Sequence, residues 1–572
     1  MRNQADALAA LERARRERPS EGAVLRAMGF FARSLPRDPP ALARLHEALL
    51  FHAAYPESAA VRPRAAAILR RMPDRVRNLA ERGVDLSVLD HPELAGIGGT
   101  EIATTFTYDF LRGLASRHPG SVRVDWDAFE GEDRLGAALS RLVPLVAEEA
   151  LADANVPYRQ WIDAARRGRP ELSWLLDRFE SLPLPASERA ALFDGVTLPV
   201  AWELSAAASR TAVRPLSRPF RHAAPLLSRR EVDLRAELAS PPLPVRRLGR
   251  REAARRIDMA RDANGCRYRE LYGFTYGDPE TARSADAGRG CEIFLFGLPP
   301  DRRLPLRAGY SAFVVKNGVP VAYVEGLALF ERMEVGFNVY YTFREGESAW
   351  IYARVLKLFH EVLGVSSFSI DPYQIGFDNE EAIASGAFWF YRKLGFRSSS
   401  SFLRDLTTTE ESRLARNAAR RTPAATLRRL ARRNILFDAR NESAGAEWEG
   451  FHIRRIGLAV NRRLAGRDAS AATGGAAASR RAAASRVARQ LGLPASPPRA
   501  EARRALEDLA LVIEAGGGTG TWSPDEKRLA ARVVRAKTAR DEDGYLRLMR
   551  RHAKLRRAML RLGRGAEDAG GD

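Results

Sequence analysis

The sequence predicts an α+β/α protein, with a central domain built on a mixed β-sheet and helical regions on both its N- and C-terminal sides. Three observations carry this reading. From Gly309 to Phe343 apolar residues alternate around Asn317-Gly318, a dipeptide that accepts positive φ at both positions of a tight hairpin turn. Next come an amphipathic helix (Ser348–Leu363), a strand (Val365–Ile370) and a second helix closing at Gly395, an alternation that favours an α/β domain. The two flanks are rich in Ala, Leu and Arg, with apolar residues at helical spacing and proline punctuation.

Residues 1–240 read as a mostly helical region. Phe106, Phe110, Leu111 and Leu114 recur at helical spacing, as do Leu135, Leu139 and Leu142, while VRVDW (Val122–Trp126) alternates like a strand. A proline-rich joint, SPPLP (Ser240–Pro244), opens the central domain, 241–406. Its strand-like runs are Val245–Arg247, Cys291–Phe296, Tyr310–Lys316, Val319–Phe330, Glu334–Phe343, Val365–Ile370 and Phe396–Phe402. Residues 407–468 read as a basic helical extension. A low-complexity and proline linker follows at 469–500, with Ala469–Ala484 almost wholly Ala, Gly, Ser and Arg. Residues 501–572 read as a helical hairpin. Ser523, Pro524 and Glu526 form a capping box, and one helix over Asp541–Leu562 carries Tyr545, Leu548, Met549, Leu555 and Met559 on one side.

The 572-residue chain has a formal net charge of +21, which suits a polyanionic partner such as nucleic acid. Its cations, however, are Arg throughout except for Lys316, Lys357, Lys393, Lys527, Lys537 and Lys554, and Ala is heavily used. GC-rich coding produces that skew, and the compositional reading is preferred. Two cysteines, Cys266 and Cys291, form no disulfide framework and fit a reducing compartment. The N-terminus lacks the apolar core of a secretory signal, and no apolar run approaches the ~20 residues of a membrane helix. A cytoplasmic protein without a membrane span is expected. The eight histidines show no metal-ligand spacing, so no metal is expected.

The order strand, strand, strand, helix, strand, helix, ending in YRKLGF (Tyr391–Phe396), resembles the GNAT superfamily of acyl-CoA-dependent N-acyltransferases. The segments GFTYGDP (Gly273–Pro279), GLPPDRRLPLRA (Gly297–Ala308) and SGAFWFYRKLGF (Ser385–Phe396) also resemble a group of long bacterial proteins. In GNAT enzymes a loop before the main helix holds the acyl-CoA pyrophosphate on backbone N–H groups, where the helix dipole favours an anion. The matching loop is REGESA, so the resemblance implies Arg344, Gly346, Ser348 and Ala349 as cofactor contacts, with Asn379 as a further one. Acyl-CoA bound there requires the carboxylates of Glu345 and Glu347 to turn outward. The same loop also reads as a plain strand-to-helix turn with an acidic start. The resemblance implies Tyr391 as the acid that protonates the leaving thiolate, with Glu325 and Glu334 as candidate bases. The expected activity is transfer of an acyl group from acyl-CoA to an amine. A catalytically silent GNAT-like scaffold and an aminoacyl-tRNA-dependent transferase are the alternatives.

Overall fold

The computed structural model describes residues 3–17, 20–143, 158–214, 225–398, 400–417, 419–441, 447–468 and 475–564. Among them, helices form both ends of the chain and strands form two sheets. The small sheet holds β1 (Glu101–Thr105), β2 (Val122–Val124) and β3 (Pro199–Glu203), antiparallel with β3 in the middle. Of these only β2 is marked by alternation in the sequence.

The large sheet has eight strands that lie side by side in chain order. They are β4 (Val245–Arg247), β5 (Arg283–Gly288), β6 (Cys291–Gly297), β7 (Ala308–Lys316), β8 (Val319–Leu329), β9 (Arg332–Val339), β10 (Ser367–Ile370) and β11 (Ile435–Asp438). Every pair is antiparallel except β9–β10. A parallel pair needs a crossover, and the helix Ser348–Leu363 supplies it. The β7–β8 hairpin turns at Asn317 (φ 47°) and Gly318 (φ 82°), both left-handed as the dipeptide requires.

The register assigns side chains to two faces. One face carries Val324 and Phe337 and is covered by the helix Ser348–Leu363, whose Tyr352 ring lies 4.7 Å from that of Phe337. On the other face lie Ser311, Phe313, Tyr323, Glu325, Gly336 and Asn338. Helix Arg250–Gly265 and the short helix Tyr272–Thr275 precede β5, and Phe274 packs on Phe296, Phe313 and Tyr323. The β9–β10 ladder joins Arg332–Glu334 to Ser367–Ser369 and stops there, so β9 runs on without β10 beside it.

The structure corrects several sequence readings. Phe396–Phe402 is not a strand: Arg397 makes one bridge to Leu436, and a helix starts at Ser401. β5 (RSADAG) lacks the apolar alternation that marks a strand, and β11 is a four-residue run hidden in the basic segment 407–468. Where a linker is expected, Gly475–Leu491 is a helix; residues 469–474 lie outside the described residues. That helix buries Ala483, Ala484, Val487 and Ala488, and its Arg486 bonds Glu514 at 2.8 Å. Small side chains that look like low complexity allow close helix approach. The expected Asp541–Leu562 helix is two, Asp543–Arg551 and Ala553–Arg564, broken at His552. The capping box at Ser523 and Glu526 is present.

Apolar side chains gather into two cores. One runs from Ala7 through the large sheet to Leu560, and the other surrounds the small sheet from Ala95 to Ala208 and takes in Cys266. Among the described residues no helix is long and apolar enough to cross a membrane.

Candidate active-site groove

Beyond β9 the chain turns through Tyr341–Phe343 into the loop Arg344–Glu347 and the helix that starts at Ser348. Each member of this loop is engaged by the protein itself. Arg344 stacks 3.9 Å above the Tyr341 ring centroid and pairs with Glu381 at 2.7 Å. Glu345 accepts from Arg16 Nε at 2.7 Å and lies 3.7 Å from Arg15. Gly346 faces Tyr55, and a Cβ there would lie 2.6 Å from its ring. Ala349 is buried, and Ser348 is half-buried.

Glu347 points inward and is fully buried. Its carboxylate meets Lys316 Nζ at 2.7 Å and Arg289 Nε at 2.6 Å and accepts from the Leu227 N–H at 3.1 Å. Burial alone would raise its pKa, but Lys316, Arg289 and Leu227 together hold the carboxyl below the ordinary value. Acyl-CoA at this loop requires Glu345 and Glu347 to face outward. Glu345 stays at the surface but is tied to the N-terminal helix Gln4–Glu17, and Glu347 is turned inward and locked.

Tyr391 is buried among aromatic rings, 5.7 Å from Tyr352 and 5.8 Å from Phe396. Burial pushes its phenol well above the ordinary value, which suits a core tyrosine rather than a proton donor. Asn379 caps the helix Glu380–Ser385: it accepts from the Ala382 N–H at 3.1 Å and donates to the Tyr373 carbonyl at 3.0 Å. Asp371 likewise caps the turn at Tyr373. His360 holds the Val365 carbonyl at 2.6 Å in a structural contact. Glu334 is neutralised by Arg307 at 3.5 Å and Arg332 at 3.9 Å. Arg303 is buried and donates to the Lys537, Ala539 and Arg540 carbonyls.

Glu325 differs from the other candidates. It projects from β8 between Ser311 on β7 and Gly336 on β9, on the face away from the helix Ser348–Leu363. Its one hydrogen bond is a long one, 3.4 Å from the Gly273 N–H, and among the described residues it has no ion-pair partner. Burial raises its carboxyl above the ordinary value, partly offset by that N–H.

The surface around Glu325 is an open strip of sheet. Leu327, Glu325, Gly336 and Asn338 are all half-exposed, although they lie in the middle of an eight-stranded sheet. On one side the helix Tyr272–Thr275 forms the wall, with Gly273 so close that a Cβ would overlap Ser311 Oγ. On the other side Gln374 lies over Gly336. Tyr272 and Tyr373, at these two walls, are among the most exposed aromatic side chains. The result is an open strip between two walls in which Glu325, among the described residues, is a carboxylate without an ion-pair partner.

Protein-family models, curated proteins and solved structures give no match to this chain. The site is therefore read from its geometry. Among the described residues no group of three or more His, Cys, Asp or Glu side chains is placed to hold a metal ion. Of the residues singled out by sequence, the groove contains Glu325, with Glu334 at its edge, while Tyr391 lies in the core and Arg344–Ala349 beneath the N-terminal helices. Gly273 and Gln374 belong to the groove but carry no local signal, because each acts through a contact made only in the folded chain.

Proposed function

We propose that the central domain transfers an acyl group to an amine, with Glu325 as the general base. The unpaired, half-buried carboxylate on the open strip of sheet carries this reading. A carboxyl raised by burial and free of cations can accept a proton, because burial brings its basicity closer to that of the amine it serves. An ammonium entering the groove gives one proton to Glu325, its nitrogen attacks the acyl carbonyl, the bond from that carbonyl to the leaving sulfur breaks, and the departing thiolate takes the second proton from the nitrogen as the amide forms. The GNAT resemblance supplies acyl-CoA as the donor class. Within the loop Arg344–Ala349 the Gly346 N–H donates to the Phe343 carbonyl and the Glu347 N–H to the Tyr55 hydroxyl, so these two groups are not open to a diphosphate.

A second reading, a CoA-independent binding scaffold on a GNAT-like sheet, is favoured by one observation: the Glu347 carboxylate fixed on Lys316 and Arg289. Free-thiol release from acetyl-CoA in the presence of a mixed set of primary amines separates the two. The transfer reading expects turnover by the wild type and a loss of roughly 10²–10⁴-fold in Glu325→Gln. No turnover and no calorimetric binding of acetyl-CoA, in either the wild type or Glu347→Gly, establishes the scaffold in its place.

A further inference from the structure

We infer that the groove takes a short zwitterion, a peptide with both termini free, whose amine lies on Glu325 and whose carboxylate lies on Arg267 and Arg269. This deepens the transfer reading above, on which its amine half rests, by naming the acceptor class. The argument begins with register. Tyr323 pairs with Asn338 one step along the same face from the Glu325–Gly336 pair. At that end of the groove Arg267 and Arg269 line one pocket with Asn338 and Tyr341.

The two arginines are held in place without being neutralised. Arg269 donates to the Tyr323 hydroxyl at 2.8 Å, and Arg267 lies 3.9 Å from the Tyr340 ring centroid. Neither has a carboxylate partner among the described residues, whereas their neighbours do: Arg210 is held by Glu47 at 2.6 Å and Arg344 by Glu381. Glu93 borders the same pocket, but its side chain is exposed and makes no ion pair with either arginine. Glu381 lies within electrostatic reach of Arg269 but is bound to Arg344 and makes no ion pair with it. Two half-buried guanidiniums with no direct carboxylate contact among the described residues can receive a carboxylate, which Arg binds through paired N–H donors.

Spacing selects the ligand. Tyr323, which anchors Arg269, and Glu325 are two residues apart on β8, ~7 Å along the strand. A single α-amino acid holds its two charges too close together to reach both ends. An extended chain of two or three residues, at ~3.3–3.6 Å each, spans the gap.

The test uses triglycine, triglycinamide and N-acetyltriglycine, measured by calorimetry without any acyl donor. The wild type is expected to bind triglycine, and each blocked form at least about tenfold more weakly, since one charge-assisted contact is lost in each. Arg269→Gln should remove the preference for triglycine over its amide, and Glu325→Gln the preference for triglycine over its N-acetyl form. Thermal melts of both variants report whether they fold. Equal binding of triglycine and triglycinamide by the wild type overturns the anion end, and with it the proposal. Equal binding of triglycine and N-acetyltriglycine overturns the amine end and also the base assigned to Glu325, while the arginine end stands. Absence of triglycine binding up to about 10 mM overturns the whole.

Discussion

Glu347 and Glu325 are carboxylates within one sheet-and-helix unit, and their surroundings give them opposite properties. Glu347 is enclosed with Lys316 and Arg289, so its ionised form is favoured. Removing its charge leaves the buried Lys316 and the partly exposed Arg289 without their counter-ion, which costs up to about 3–5 kcal/mol. Glu347→Gln is therefore expected to lower stability by that order in denaturant unfolding at neutral pH. The sign with pH follows from the depressed folded-state pKa. Glu347 stabilises above its unfolded value and loses that contribution as pH falls through the folded value, so the wild type and the variant converge in acid. An equal gap at all pH values contradicts the ion pair. The acidic character of the REGESA loop is plain in the sequence, but the direction each carboxylate takes is not. It is decided by Lys316, Arg289 and Arg16, residues remote in the chain and brought close only by folding.

At the scale of elements, legibility follows locality. The β7–β8–β9 meander is readable because its turn chemistry and alternation sit within one continuous stretch, with Asn317 and Gly318 both at positive φ. β5 and β11 are not readable, since each is short and stabilised by its neighbours in the sheet rather than by its own pattern. The helix Gly475–Leu491 is hidden for another reason: alanine is both the hallmark of low complexity and the best helix former. The hairpin gives the element-scale prediction. A Cβ at Gly318 would lie 2.4 Å from the Arg214 carbonyl, in a backbone conformation that already disfavours side chains. Gly318→Ala should cost about 1–3 kcal/mol by thermal or denaturant unfolding. A loss below about 0.5 kcal/mol would show that the turn relaxes freely.

Across the whole molecule the sheet does not stand apart from its flanks. The Tyr545 hydroxyl donates to the Leu306 carbonyl at 2.7 Å, Lys537 Nζ donates to the Arg307 carbonyl at 3.0 Å, and Trp448 donates to Glu331 at 3.0 Å. One apolar core joins the N-terminal helices, the sheet and the C-terminal helices. Composition marks these flanks as helical but gives no sign that they close over the sheet. Deletion of residues 500–572 is accordingly expected to expose core surface and remove the cooperative thermal transition. A truncated chain that melts cooperatively within a few degrees of the full-length protein would show the C-terminal helices to be dispensable.

The central claim is that Glu325 receives the proton in transfer to an amine. The pH dependence of kcat/KM for acyl transfer, in the wild type and in Glu325→Gln, tests it most directly. A base in the free enzyme produces an acid limb at its own pKa. Burial places that limb above the ordinary glutamate value for the wild type, and the limb disappears in the variant together with most of the rate. A variant that keeps both the rate and the acid limb of the wild type would contradict the account, because the proton would then be taken by another group.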